Sequence, residues 1–233
     1  MAMPSDRVQR ATNTILDAIV SKKFQVGEAL PPEIELAEWL QVARPTMREA
    51  VRTLTERGVL NVVHGRGTFV VDPAEWTDLS SIIWWISQTS SPKELGMYLS
   101  EVRRMLEVGA CGLAAERRGD ADIERLRQKL VDYDAASDAG DIEAATRADL
   151  EFHQAILSAS KNPFLASIMT PLSTALHDSR LLTTSVPQIR ARARHHHFEI
   201  LEAIEQSDAQ KAKDAMRAHM TQTSSDIETH LSD

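Results

Sequence analysis

The chain has 233 residues, 42% of them hydrophobic and 26% charged, a balance that excludes fibrous and disordered classes and allows one large domain or two modest ones. Residues 1–10 are polar with no apolar core, so no secretory signal is expected, and the longest uncharged apolar run, around residues 82–86, is far too short to span a bilayer. Cys111 is the only cysteine, which excludes an intrachain disulfide and points to a reducing cytoplasm, while a net charge of −8 speaks against a nonspecific coat on nucleic acid.

Residues 8–22 carry Val8, Ala11, Ile15, Ala18 and Ile19 at helical spacing. Gly27 and Pro31-Pro32 punctuate a turn before a second predicted helix at residues 33–40. A third is predicted over 45–57, with Pro45 suited to a first turn and Gly58 placed to stop it. Leu60-Asn61-Val62-Val63 and Thr68-Phe69-Val70-Val71 favour strands and are joined by His64-Gly65-Arg66-Gly67, which reads as a β-hairpin. Three short helices and a hairpin predict a winged helix-turn-helix over residues 1–72. Residues 73–92, with two prolines, three tryptophans and several serines, read as linker plus docking segment, in which Trp84-Trp85 either pack against a domain or stack on a ligand. Across 93–233 only helical periodicities appear, broken at Gly119-Asp120, Gly140-Asp141, Asn162-Pro163, Pro187 and Ser207-Asp208. That predicts an all-α bundle of six to seven helices, and a mainly α chain.

Charge is unevenly shared. Residues 1–72 hold nine basic and nine acidic side chains, so the whole −8 falls on the remainder. Between Arg44 and Arg66 five arginines face only Glu49 and Glu56, a small basic face on a neutral domain, as a sequence-specific DNA binder needs. In the third helix Met47, Ala50, Val51 and Leu54 form a packing stripe, and Arg44, Arg48 and Arg52 lie four apart on an adjacent face, able to meet guanine edges or phosphates in a major groove. Thr46 with Glu49 fits a capping box or a phosphate contact, and the Gly65-Arg66-Gly67 tip lets backbone approach DNA closely. The plain alternative is a solvated arginine face on a small helical domain.

Residues 12–71 resemble the GntR family of bacterial transcription regulators. The resemblance rests on Leu30-Pro31-Pro32-Glu33 with Leu36-Ala37, on Arg44-Pro45-Thr46-Met47-Arg48-Glu49-Ala50, on Leu54 and Gly58, and on Gly65-Arg66-Gly67-Thr68-Phe69-Val70. It implies that Arg44, Thr46, Arg48 and the wing tip, Gly65 and Arg66, touch operator DNA. Two departures stand out: Ile34 replaces a usual Arg, and Ala43 replaces a usual Ser whose hydroxyl would be worth about 1 kcal/mol as a helix cap.

In the second half, helical phase sorts the histidines. Asp149 and His153 lie one turn apart at the edge of an inward stripe of Ala145, Phe152 and Ile156. His197 falls amid Ala193, Ile200 and Ile204, and His219 amid Ala212, Ala215, Met216 and Thr223. Imidazoles and a carboxylate aimed into one interior are expensive, and holding a divalent cation is one efficient remedy; taken singly, each histidine reads first as a hydrogen-bonded core residue. An Asp with three His suits Zn²⁺, the default, or Ni²⁺, Mn²⁺ or Fe²⁺, and spacing does not choose among them.

Residues 95–222 resemble the helical FCD effector domain of the FadR-type branch of that family. The carriers are Glu101-Val102-Arg103 with Leu106-Glu107, Asp149-Leu150-Glu151-Phe152-His153, Lys161-Asn162-Pro163-Phe164-Leu165, His197 with Ile200-Leu201-Glu202-Ala203-Ile204, and Met216-Arg217-Ala218-His219. The resemblance implies metal ligation by Asp149, His153, His197 and His219, effector carboxylate binding at Arg103, and a pocket-lining Asn162. Otherwise Arg103 is a surface partner of Glu107, worth little.

The expected protein is a homodimeric cytoplasmic repressor, not an enzyme, that binds a near-palindromic operator on double-stranded DNA and is released by a small sugar, hydroxy or dicarboxylic acid held beside a divalent metal. No membrane partner is expected. The rivals are a metal-dependent hydrolase with an accessory DNA-binding domain, and a structural metal beneath long-chain acyl ligands.

Overall fold

A computed structural model describes residues 6–232; residues 1–5, on which half of the polar opening read above rests, and residue 233 lie outside the described residues. The chain divides into two compact units, the first ending at Thr89 and the second beginning at Ser90.

The first unit opens with α1 (Asp6–Val20), which buries Val8, Ala11, Ile15 and Ile19. It ends where Lys22 takes a positive φ. Helices α2 (Glu33–Trp39) and α3 (Arg44–Glu56) follow, and Met47, Ala50, Val51 and Leu54 of α3 are buried, the stripe predicted from their spacing. Gly58, at φ +73°, turns the chain out of α3 into β1 (Leu60–Val63), which pairs antiparallel with β2 (Gly67–Val70) in the register Leu60 opposite Val70. Gly65 and Gly67 at the hairpin tip both have positive φ, the left-handed region that a β-carbon disfavours.

The segment expected to be linker plus docking element is more ordered than a linker. A 3-10 turn at Pro73–Glu75 leads to α4 (Leu79–Thr89), whose start is capped by the Asp78 carboxylate accepting from the Ser81 N–H at 2.8 Å. Trp76 is buried, donates its indole N–H to the Val71 carbonyl and meets Trp85 edge to face at 5.6 Å. Trp84 and Trp85 pack on the same apolar core as α1 to α3.

Seven helices form the second unit among the described residues: α5 (Pro92–Arg117), α6 (Asp120–Asp138), α7 (Ile142–Ala159), α8 (Pro163–Met169), α9 (Ser173–Thr184), α10 (Pro187–Glu205) and α11 (Ala209–His230). Each break was a local chemical signal. Ser91 and Glu94 cap α5 reciprocally, and Asp141, Asn162 and Asp208 accept from first-turn amides of α7, α8 and α11. Helices α5, α7, α10 and α11 pack together, and most of the bundle's buried polar residues lie on them and on α9.

Candidate DNA-reading surface and metal centre

The predicted DNA contacts share one feature, exposure. Arg44, Arg48, Arg52, Gly65 and Arg66 are exposed and Thr46 is half-buried, while the opposite stripe of α3 is in the core. Arg48 Nε lies 3.3 Å from Glu33 Oε2, and Arg52 contacts Glu49 at 2.5 Å and Glu56 at 3.7 Å. Exposed pairs of this kind are worth ~1 kcal/mol or less, so they break readily for a phosphate or base edge. Ile34 is exposed, so the residue that departs from the GntR pattern faces solvent. The capping box expected of Thr46 and Glu49 does not form. Helix α3 begins earlier, at Arg44, with Ala43 at the cap position and no side-chain bond there, and Glu49 turns to Arg52 instead.

In the second unit, α7, α10 and α11 bring Asp149, His153, His197 and His219 together. All four are buried, at 4% exposure or less. One ring nitrogen from each histidine falls within 4.8 Å of the other two, and Asp149 Oδ1 lies 3.4 Å from His197 Nε2 and 4.0 Å from His153 Nε2. The Nε2 atoms of His153, His197 and His219 have no hydrogen-bond partner. Three unbonded imidazole nitrogens in one buried cluster, with a carboxylate oxygen beside two of them, fit a divalent cation; as packing alone, each would cost about 1–3 kcal/mol. Burial first, then the neighbouring His153 and the Arg103 guanidinium, holds His197 well below the ordinary imidazole pKa, and His219 is lowered by the same burial, so both are neutral and able to ligate at pH 7.

A supporting chain holds His153. Its Nδ1 lies 2.8 Å from Glu107 Oε2, and Arg103 donates to the same carboxylate through Nε at 2.7 Å and Nη2 at 3.1 Å. Burial pushes the Glu107 carboxyl up, but Arg103 and His153 more than offset it and hold it at about 2. A carboxylate on Nδ1 favours the tautomer whose lone pair is on Nε2, facing the cluster. The surface-pair alternative for Arg103 is therefore corrected: the pair is buried, with both side chains at 3% exposure or less. Arg180, on the buried face of α9, sets Asp149 in the same way, with Nη1 2.7 Å from Oδ2. Sequence reading passed over Arg180. Its signal was a charge in phase with Leu176 on a face that also carries Ala175, Ser179, Thr183 and Thr184. Burial raises the Asp149 carboxyl, which a bound cation would reverse.

Two cavities flank the cluster and share no lining residue. One, about 20 Å³, is walled by Asp149, Arg180, His219 and Tyr133. The other, about 280 Å³, is walled by Arg103, Glu107, His153 and residues of α7 to α9. Asn162 lines neither, and its Oδ1 accepts from the Phe164 N–H at the start of α8.

The family model for bacterial regulatory proteins of the gntR family matches residues 7–70, and that for the FCD domain matches residues 98–222. The chain is 30% identical to the HTH-type transcriptional regulator LutR of Bacillus subtilis (strain 168), over 87% of this chain and 93% of the relative. It is 32% identical to the Uxu operon transcriptional regulator of Escherichia coli (strain K12), over 88% and 80%, and 29% identical to the Galactonate operon transcriptional repressor of the same organism, over 74% and 75%. Among solved structures it is similar to Streptococcus agalactiae GntR, at 30% identity and a TM-score of 0.53 over 94% of this chain and 99% of the other.

Proposed function

Because the chain belongs to the gntR family of bacterial regulatory proteins, with an FCD domain, and is a ligand-responsive DNA-binding transcription regulator, we propose that it is a homodimeric cytoplasmic repressor released from its operator by a small organic acid. The observation that carries the reading is the set of three buried imidazoles with ring nitrogens within 4.8 Å of one another, each with an unbonded Nε2, and Asp149 Oδ1 beside two of them. A divalent ion there, Zn²⁺ before Ni²⁺, Mn²⁺ or Fe²⁺, supplies a fixed positive charge for an acid's oxygens. Asp149, His153, His197 and His219 would hold it, and Glu107 and Arg180 orient two of those ligands. The acid class follows the relatives, one named for a galactonate operon and another, from Escherichia coli, for an L-lactate dehydrogenase operon.

On the DNA side, Arg44, Thr46, Arg48 and Arg52 enter a major groove, and Gly65 and Arg66 contact the backbone beside it. Two-fold pairing sets two such elements on a near-palindrome. The acid releases them only by binding one arrangement of the paired DNA-reading units better than the other. The hydrolase rival has no support in the relatives, and the carboxylates at the cluster are committed, Asp149 to Arg180 and Glu107 to Arg103, so none is free as a general base.

A gel-shift assay on DNA upstream of the protein's own gene tests this reading, with and without galactonate and lactate. Specific retention relieved by an acid supports it. Retention that no acid relieves, or no specific retention at all, removes it.

A further inference from the structure

The two cavities differ in what they can admit. The smaller, at about 20 Å³, has room for a water, whereas organic ligands need hundreds of cubic ångströms, so only the larger, at about 280 Å³, takes an acid. The charged groups of that larger wall are already paired, with one exception. Glu107 is held by Arg103 and His153. Glu151 accepts from Lys129 at 2.7 Å, and His177 Nε2 lies 2.8 Å from Glu143. Arg147, exposed on α7, has no hydrogen bond or ion pair among the described residues, and it shares one helical stripe with Leu150, Glu151 and Gln154 of the same wall. The rest of the lining is mostly hydrocarbon from Leu150, Leu157, Met169 and Leu176.

We propose that this cavity is built for a short aliphatic monocarboxylate carrying one or two hydroxyl or keto oxygens, and that Arg147, not Arg103, takes its carboxylate. The inference rests on the acid-sensing reading above and narrows it. Both forks of Arg103 that bond Glu107 would have to leave a buried carboxylate to serve a ligand, whereas Arg147 gives up only water. The hydrocarbon of the acid covers Leu157, Met169 and Leu176. Gln154 and Ser173 can meet one or two ligand oxygens, but a five-hydroxyl sugar acid leaves others facing hydrocarbon without partners.

The experiment is calorimetric titration of the metal-loaded full chain with 2-hydroxy-3-methylbutanoate, lactate and galactonate, repeated with Arg147→Gln and Arg147→Lys. The aliphatic hydroxy acid is expected to bind at least about 10-fold more tightly than galactonate, the loss of one charge-assisted contact in Arg147→Gln to weaken it about 10- to 100-fold, and Arg147→Lys to recover part of that. Metal content and unfolding temperature should stay as in the wild type, since Arg147 is exposed and unpaired. Wild-type affinity in Arg147→Gln, or a preference for galactonate, overturns this inference and leaves the acid-sensing reading standing. If no acid binds the wild type or relieves its DNA retention, the acid-sensing reading itself falls.

Discussion

The histidine cluster makes an unusual demand on stability, which His219→Leu exposes. His219 is 1% exposed and its Nε2 is unbonded, with the rings of His153 and His197 centred 5.1 and 4.8 Å away. In metal-free protein, leucine removes an unsatisfied buried polar atom, a gain of about 1–3 kcal/mol. Imperfect shape returns up to about 1.5 kcal/mol. The net is ~1 kcal/mol of stabilisation, a rise of roughly 3–5 °C for a domain of this size. With metal at about 1,000 times its dissociation constant the order inverts, because the wild type gains about 4 kcal/mol and the variant, short of a ligand, far less. Differential scanning calorimetry of chelator-stripped and Zn²⁺-supplemented samples reads both halves, following the transition that responds to metal. A metal-free variant several degrees less stable than wild type, together with a wild type indifferent to added metal, would show that the imidazoles are there to pack, and the ligation argument would be lost.

Acid should separate the same two proteins. His219 is held below its ordinary pKa in the folded state, so the unfolded chain takes up a proton first, near pH 6.5, and stability is lost as pH falls below that value. His219→Leu lacks that proton, so the urea stability of metal-free protein should decline less steeply than in wild type, by about 1.4 kcal/mol per pH unit below 6.5; parallel slopes would refute it. Glu107→Gln breaks the Arg103–Glu107–His153 chain, leaving a buried guanidinium short of its counter-charge and His153 without its tautomer guide. A loss of about 3–5 kcal/mol and a 10- to 100-fold weaker metal affinity by chelator competition are expected, and unchanged affinity would dismiss the supporting role. Arg48→Ala should weaken operator binding by ~1–3 kcal/mol while leaving the unfolding midpoint in place, since Arg48 is exposed and its contact with Glu33 is long. Fluorescence anisotropy with labelled operator checks it.

The breaks within the bundle were legible because they are local chemistry: Asp141, Asn162-Pro163 and Asp208 each punctuate a helix start without help from distant residues. So were the inward imidazoles, since phase along one helix tells which way a side chain points. What escaped was pairing across helices. Arg180 meets Asp149, and Glu107 meets His153, only because α5, α7 and α9 pack together, and no spacing within one helix records that. Asn162, given a pocket role by resemblance, lines neither cavity beside the cluster and caps the first turn of α8. At α4 the prolines and serines around it hid a packed helix, which read as connecting chain.

Ala43 leaves the DNA-reading helix unfinished at its leading end. Proline at position 45 has no amide hydrogen, and nothing on residue 43 can accept from the amides of Arg44 or Thr46. In the free protein those two hydrogens trade with solvent quickly, and a docked phosphate oxygen would slow them. The first turn of α3 thus carries its own isotope-labelled footprint of occupancy, readable by deuterium uptake at two positions without any label on the nucleic acid.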